Sequence, residues 1–214
     1  MKKIIGISGL AGDGKDSVCN ILRKFFLENT NYQFKKIALA DALKEECRSA
    51  CFDMFGVDSV SCSRQDKEKI RDFLVFYGKI MRNKTKGTHW TSLVEKEITA
   101  SRSKNIVFCI PDIRYAEFPN DEVFWLKSHK DSSLIHVKKY FSNVVELEGQ
   151  YKVIKSYSSP VNKEEEKNCP KLERLASHQI EWQDFSPTLP EDEPNCIESV
   201  YTVARDIFDS WKEK

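Results

Sequence analysis

The sequence predicts an α/β fold: a parallel sheet with helices packed against it. Short apolar runs of strand length stand at 3–8 (KIIGIS) and 105–110 (NIVFCI). Between such runs lie segments whose apolar residues repeat at helical spacing. Strands separated by helices form parallel sheets with right-handed crossovers.

Residues 3–8 are continuously apolar, as a strand buried on both faces must be. A glycine-rich turn follows at 9–14, and 15–28 reads as a helix built on Val18, Ile21, Leu22, Phe25 and Phe26. Residues 34–40 (FKKIALA) read as a second strand, with Asp41 placed to cap a helix over about 42–55. After a loop at 56–63, helical spacing returns over 66–83 (Ile70, Phe73, Leu74, Phe76, Tyr77, Ile80). It returns again from Thr88 to about Ser101 (Trp90, Leu93, Val94, Ile98). The run at 105–110 is β-branched and bounded by Asn and Pro, and 133–139 (SLIHVKK) suggests a further strand. From Tyr140 to about Ala176 periodicity is poor and Lys and Glu dominate, as in KEEEK at 163–167. This stretch reads as a lid, an inserted hairpin or a partly ordered excursion. Residues 186–195 form a Pro-rich loop, and 196–213 a last helix on Ile197, Val200, Val203, Ile207 and Phe208. No internal repeat is visible.

A chain of 214 residues fits one domain, 1–214, with 140–176 as its appended excursion. Apolar content of 40% and charged content of 31% describe a globular chain. A net charge of +1 points to neither nucleic acid nor an anionic membrane as partner. Seven cysteines with no CxxC and an odd count suit a reduced, cytoplasmic protein. Cys47 and Cys51, one helical turn apart with Cys62 nearby, are better read as buried thiols than as a zinc site. The apolar run after Lys3 breaks at Gly9, too early for a signal peptide, and no stretch nears the ~18 apolar residues of a membrane span.

In parallel α/β sheets, ligands sit at the carboxyl ends of the strands. Three polar clusters fall there. The first is Gly9-Leu-Ala11-Gly12-Asp13-Gly14-Lys15-Asp16-Ser17. Gly9-x4-Gly14-Lys15 has Walker A spacing between a strand and a helix, the context that motif requires. Glycines let successive amides turn toward phosphate oxygens, and the following helix offers its positive end to the same anion. Lys15 adds a point charge. All of 9 and 11–17 are candidate ATP contacts. Asp16 stands where Ser or Thr ordinarily binds magnesium, so it is either a magnesium ligand or turned away toward a basic partner. The second cluster is Asp41 with Lys44, and the third is Asp112-Ile-Arg114. An Asp just past a strand is placed for metal binding or catalysis, and an Arg beside it can clamp a phosphate. Arg71 and Arg82, eleven apart on one helix, suit an acceptor phosphate. Phe73, Phe76, Tyr77 and Trp90 are candidate base-stacking rings or core. His178 and Glu181 are a weak further pair.

With these pieces placed, the chain resembles the bacteriophage-type deoxynucleoside monophosphate kinases. The resemblance rests on GxxxxGKDS at 9–17, LADALK at 39–44, Arg71-x6-Gly78, Trp90, PDIR at 111–114 and HQIE at 178–181. It implies a P-loop NTPase fold, three layers α/β/α with a lid. It implies ATP with Mg2+ as donor and a (deoxy)nucleoside monophosphate as acceptor. Lys15, Asp112, Arg114 and Arg71 would be catalytic, and Asp16 and Asp112 would face the metal. Asp41, Lys44, Arg71, Arg82, Trp90, Arg114, His178 and Glu181 would line the acceptor side. Small-molecule nucleotides would be the partners, in the host cytoplasm if the chain is viral, with a homodimer left open. Two departures stand out. Phe118 fills the place where the family carries a Glu six residues after its Asp, and 140–176 offers mainly Lys and the single Arg174. Kinases of dephospho-coenzyme A or phosphomevalonate, and a P-loop ATPase or binding module, are the rival readings. The preferred base is not readable.

Overall fold

The structure, a computed structural model, describes residues 2–102, 105–147, 150–184 and 193–212. At its centre is β1 (Lys3–Ser8), every residue of it buried. It pairs in parallel with β3 (Ile106–Ile110) on one side and β4 (Ser132–Leu147) on the other. β2 (Gln33–Lys36) adds in parallel to β3, and β6 (His178–Gln183) adds in parallel to residues 135–140 of β4. Past Tyr140, β4 leaves the parallel sheet as one arm of an antiparallel hairpin with β5 (Gln150–Tyr157). The result is a mostly parallel mixed sheet.

Strand side chains alternate between faces, and the two faces carry different helices. Ile5, Ile7, Val107, Cys109, Ile135 and Val137 pack against α1 (Lys15–Asn29) and α8 (Pro194–Lys212). Ile4, Ile106, Phe108, Ile110 and Leu134 pack against the other face. There they meet α5 (Thr88–Ala100), α6 (Glu122–Ser128), Leu39 of α2 (Leu39–Glu46) and Leu172 of α7 (Lys163–Leu175). A smaller core, Cys47, Cys51, Val57, Ile70 and Leu74, joins α3 (Arg48–Phe55) to α4 (Arg64–Lys84). All seven cysteines are free, and Cys47 and Cys51 are spent on that core. Among the described residues no helix is long and apolar enough to cross a membrane.

Several boundaries differ from expectation. β2 stops at Lys36, and Leu39 already belongs to α2, so the strand expected at 34–40 is shorter. Asp41 does not cap that helix: Ala38 is the N-cap residue, and Asp41 lies in the first turn. The single helix expected over 42–55 is two, broken at Cys47. α6 has seven residues, too few for helical periodicity to register. The excursion at 140–176 resolves into the β4–β5 hairpin and α7, in which Pro170 lies inside the helix. Most of the Pro-rich loop expected at 186–195 lies outside the described residues, although Pro194 already begins α8.

Candidate functional site

The carboxyl end of β1 opens into the 9–14 loop, flanked by the end of β3 and by His136 and Val137 of β4. Three glycines there have positive φ: Gly9 (145°), Gly12 (87°) and Gly14 (84°). At Gly9 the need is also spatial, since a Cβ would stand 2.5 Å from the Val137 carbonyl oxygen. Asp13 is the loop's internal brace. It is 2% exposed, its carboxylate accepts from the Leu10 amide (3.0 Å), and its own amide donates to the Leu10 carbonyl (3.2 Å). Trp182 Nε1 donates to the Asp13 carbonyl (2.8 Å) and fastens the loop to β6. α1 follows Gly14 with no side-chain cap on its first turn, so its positive end faces out of the loop.

Lys15 lies across the loop, donating from Nζ to the carbonyls of Gly9 (3.0 Å) and Leu10 (2.6 Å). Burial, and then the nearby Arg114 charge, hold its ammonium below the usual lysine value. Two cations thus converge on one concave run of backbone, an arrangement whose natural complement is an anion.

The loop after β3 supplies the second wall. Asp112 accepts from the amides of Leu39 (3.0 Å) and Ala40 (2.8 Å), so it caps α2 from across the fold. Burial nonetheless raises its carboxyl above the usual aspartate range. Ile113 N donates to Ile7 O (3.1 Å), holding the turn against β1. Glu122, at the start of α6, accepts from the amides of Arg114 and Tyr115 (3.1 Å for the latter). This places the Arg114 side chain toward the loop. Burial, helped by Asp112, pushes the Glu122 carboxyl up to about 8. A carboxyl whose folded value exceeds its unfolded one stabilises fully below the unfolded value and loses that contribution as pH rises through the folded value. Glu122→Gln keeps an oxygen to accept both amides but cannot ionise. Its unfolding free energy from urea titration is therefore expected to gain on the wild type between pH 5 and pH 8, by about 1 kcal/mol or more. A gap that stays constant with pH would mean that this carboxyl is not the buried acid described.

A third wall is α7. Asn162 caps it, accepting from the Glu165 amide (2.9 Å). The Glu165 carboxylate reaches the Ala11 amide (3.5 Å), the Val161 amide (3.3 Å) and the Arg114 guanidinium (3.7 Å). Lys79–Glu164 (2.9 Å), Lys167–Glu117 and Ala116 N to Asn168 Oδ1 (3.2 Å) hold the same helix from below.

The structure brings together Gly9 through Lys15, Asp112 and Arg114. The remaining candidates are placed elsewhere or otherwise engaged. Asp16 is exposed and paired with Lys36 (2.6 Å), the second of its two expected arrangements. Lys44 pairs with Asp41 (2.7 Å) on the surface of α2. Arg71 and Arg82 do not share a face toward one phosphate. Arg71 is exposed and bound to Glu68. Arg82 is 4% exposed, because α4 there passes over the 115–121 loop. Its guanidinium meets Asp121 (3.0 and 2.7 Å) and Glu117 (3.1 Å) and lies over the rings of Tyr115 (4.0 Å) and Phe118 (4.6 Å). Trp90 is core, its indole N–H directed at the Gly78 carbonyl (3.5 Å), so it offers no free face for a base. His178 and Glu181 are three apart on a strand and so point to opposite faces. His178 begins β6 in register with Ile135, itself paired with Ile7 of β1, while Glu181 binds Lys155 (2.9 Å) and Tyr157 (3.1 Å) of the hairpin.

Sequence reasoning missed Glu122, Trp182 and Glu165. Only Glu165 had a local signal: Asn162-x-x-Glu165 is a capping pattern, hidden in a charge run. Oxygen donors at Asp16, Ser17 and Asp112 suit a hard cation. No group of three His, Cys, Asp or Glu side chains that could hold a metal stands among the described residues. No protein-family model matches the chain, and no curated protein matches it significantly.

Proposed function

We propose that the chain is a P-loop kinase that transfers the γ-phosphoryl group of ATP to a (deoxy)nucleoside 5′-monophosphate. One observation carries this reading. A glycine loop at the carboxyl end of the central parallel strand leads into an uncapped helix start, with Lys15 inside the loop and Arg114 facing it. Such a loop binds polyphosphate through its amides and the helix end. Lys15 would leave the Gly9 and Leu10 carbonyls for the β- and γ-phosphates. Arg114 would offset charge on the group in transit. An acceptor phosphate is already a nucleophile, so in-line placement and charge cancellation suffice, and Asp112 serves by fixing α2 beside the cleft. α7 would exclude water from the transfer. Ser17 and Asp112 are the residues that would face magnesium, joined by Asp16 only if it leaves Lys36; the ion when bound offsets phosphate charge.

The test is a coupled assay of ADP formation with ATP and Mg2+ across the dNMPs and NMPs. ADP should form only when an acceptor is present, with at least one dNMP active. Equal ADP release without acceptor would make the chain an ATPase, and no release with any acceptor would end the nucleotide-kinase reading.

A further inference from the structure

Glu165 stands against the groups assigned above to the donor's phosphates. Its carboxylate is 11% exposed. It is met by the Ala11 amide of the glycine loop and by the Arg114 guanidinium, and it lies within the field of Lys15. These are the groups that, on the nucleotide reading above, bind the donor's phosphates. An anionic side chain and an anionic ligand cannot share them, because like charges at contact distance repel strongly in a sheltered site.

The helix that delivers this carboxylate is held mostly by polar contacts. The buried residues of α7 are Asn168 and Leu172. A cavity of about 190 Å3 opens between Leu10 and Asp13 of the loop side and Glu166, Cys169 and Glu173 of the helix. α7 therefore meets the loop through Glu165 rather than through close packing, and moving its first turn sacrifices little apolar contact.

We infer that Glu165 is a built-in competitor for the polyphosphate: its carboxylate holds the anion's place and must be expelled, with the start of α7, for a nucleotide to seat. The apparent affinity for ATP is then reduced by the fraction of molecules in which the carboxylate is withdrawn. If the carboxylate occupies the loop in roughly 80–90% of molecules, the dissociation constant is raised about five- to tenfold. Glu165 also helps to cap α7 through Val161 N. Glu165→Gln separates the two roles, because the amide oxygen still accepts from Val161 while the charge is gone.

The experiment is calorimetric titration of ATP, with and without Mg2+, into the full chain as wild type, Glu165→Gln and Lys15→Ala, each checked by circular dichroism. The expected result is binding about five- to tenfold tighter for Glu165→Gln than for wild type in both conditions, with Lys15→Ala much weaker than either. Equal or weaker binding by a folded Glu165→Gln would overturn the inference. Weaker binding with Mg2+ alone would reassign Glu165 to the metal. In either case weak binding by Lys15→Ala would leave the nucleotide site standing. Failure of all three proteins to bind ATP would remove the nucleotide reading and this inference with it.

Discussion

Lys15→Ala is expected to lower acceptor-dependent ADP formation by roughly 10²–10⁴-fold, the range seen when one preorganised charge at a transferring group is removed. The melting temperature should barely move. Lys15 is a cation held partly out of water and facing Arg114, so its removal relieves as much as it costs. Its bonds to the Gly9 and Leu10 carbonyls are individually worth only about 1 kcal/mol. Initial rates at saturating ATP and acceptor, paired with a thermal melt, separate a lost charge from a lost fold. Near-normal rates in the folded variant would remove Lys15 from the chemistry and the proposed donor site with it.

Arg82→Met is expected to cost the most stability of any substitution considered. The guanidinium neutralises Asp121, which is fully buried and also accepts from the amides of Glu117 (2.7 Å) and Phe118 (2.7 Å). Removing one partner of a buried pair leaves the other charge uncompensated, typically a loss of about 3–5 kcal/mol. Methionine keeps a stem between the Tyr115 and Phe118 rings, so the loss reports charge rather than packing. A urea titration reads it as a lower midpoint at unchanged slope. The same loop carries Ala116 and Glu117, which hold α7 through Asn168 and Lys167. The variant should therefore also lose activity under conditions where it remains folded. A loss below about 1 kcal/mol would contradict the role given to this hub.

The two residues illustrate different degrees of legibility. Lys15 was visible because everything that defines it is local: a strand before, three glycines around and a helix after. Arg82 was visible only as an arginine on a helix. Its partners lie 35 and 39 residues away on a loop without periodicity, and helical spacing says nothing about what will lie opposite. The same limit explains His178 and Glu181. The segment has the strand alternation Ile180–Trp182, and period two sends His178 and Glu181 to opposite faces.

By itself the sequence determined that helices and parallel strands alternate, that β1 and β3 are buried, and that a glycine loop with a lysine follows the first strand. Each of those features is encoded within a few residues by side-chain period and backbone freedom. Only the tertiary structure decided which group answers which. Asp112 caps a helix that begins 73 residues earlier, and the Ala11 amide meets a carboxylate 154 residues away. Such pairings depend on where separate strands end in space, and no local pattern of side chains carries that information.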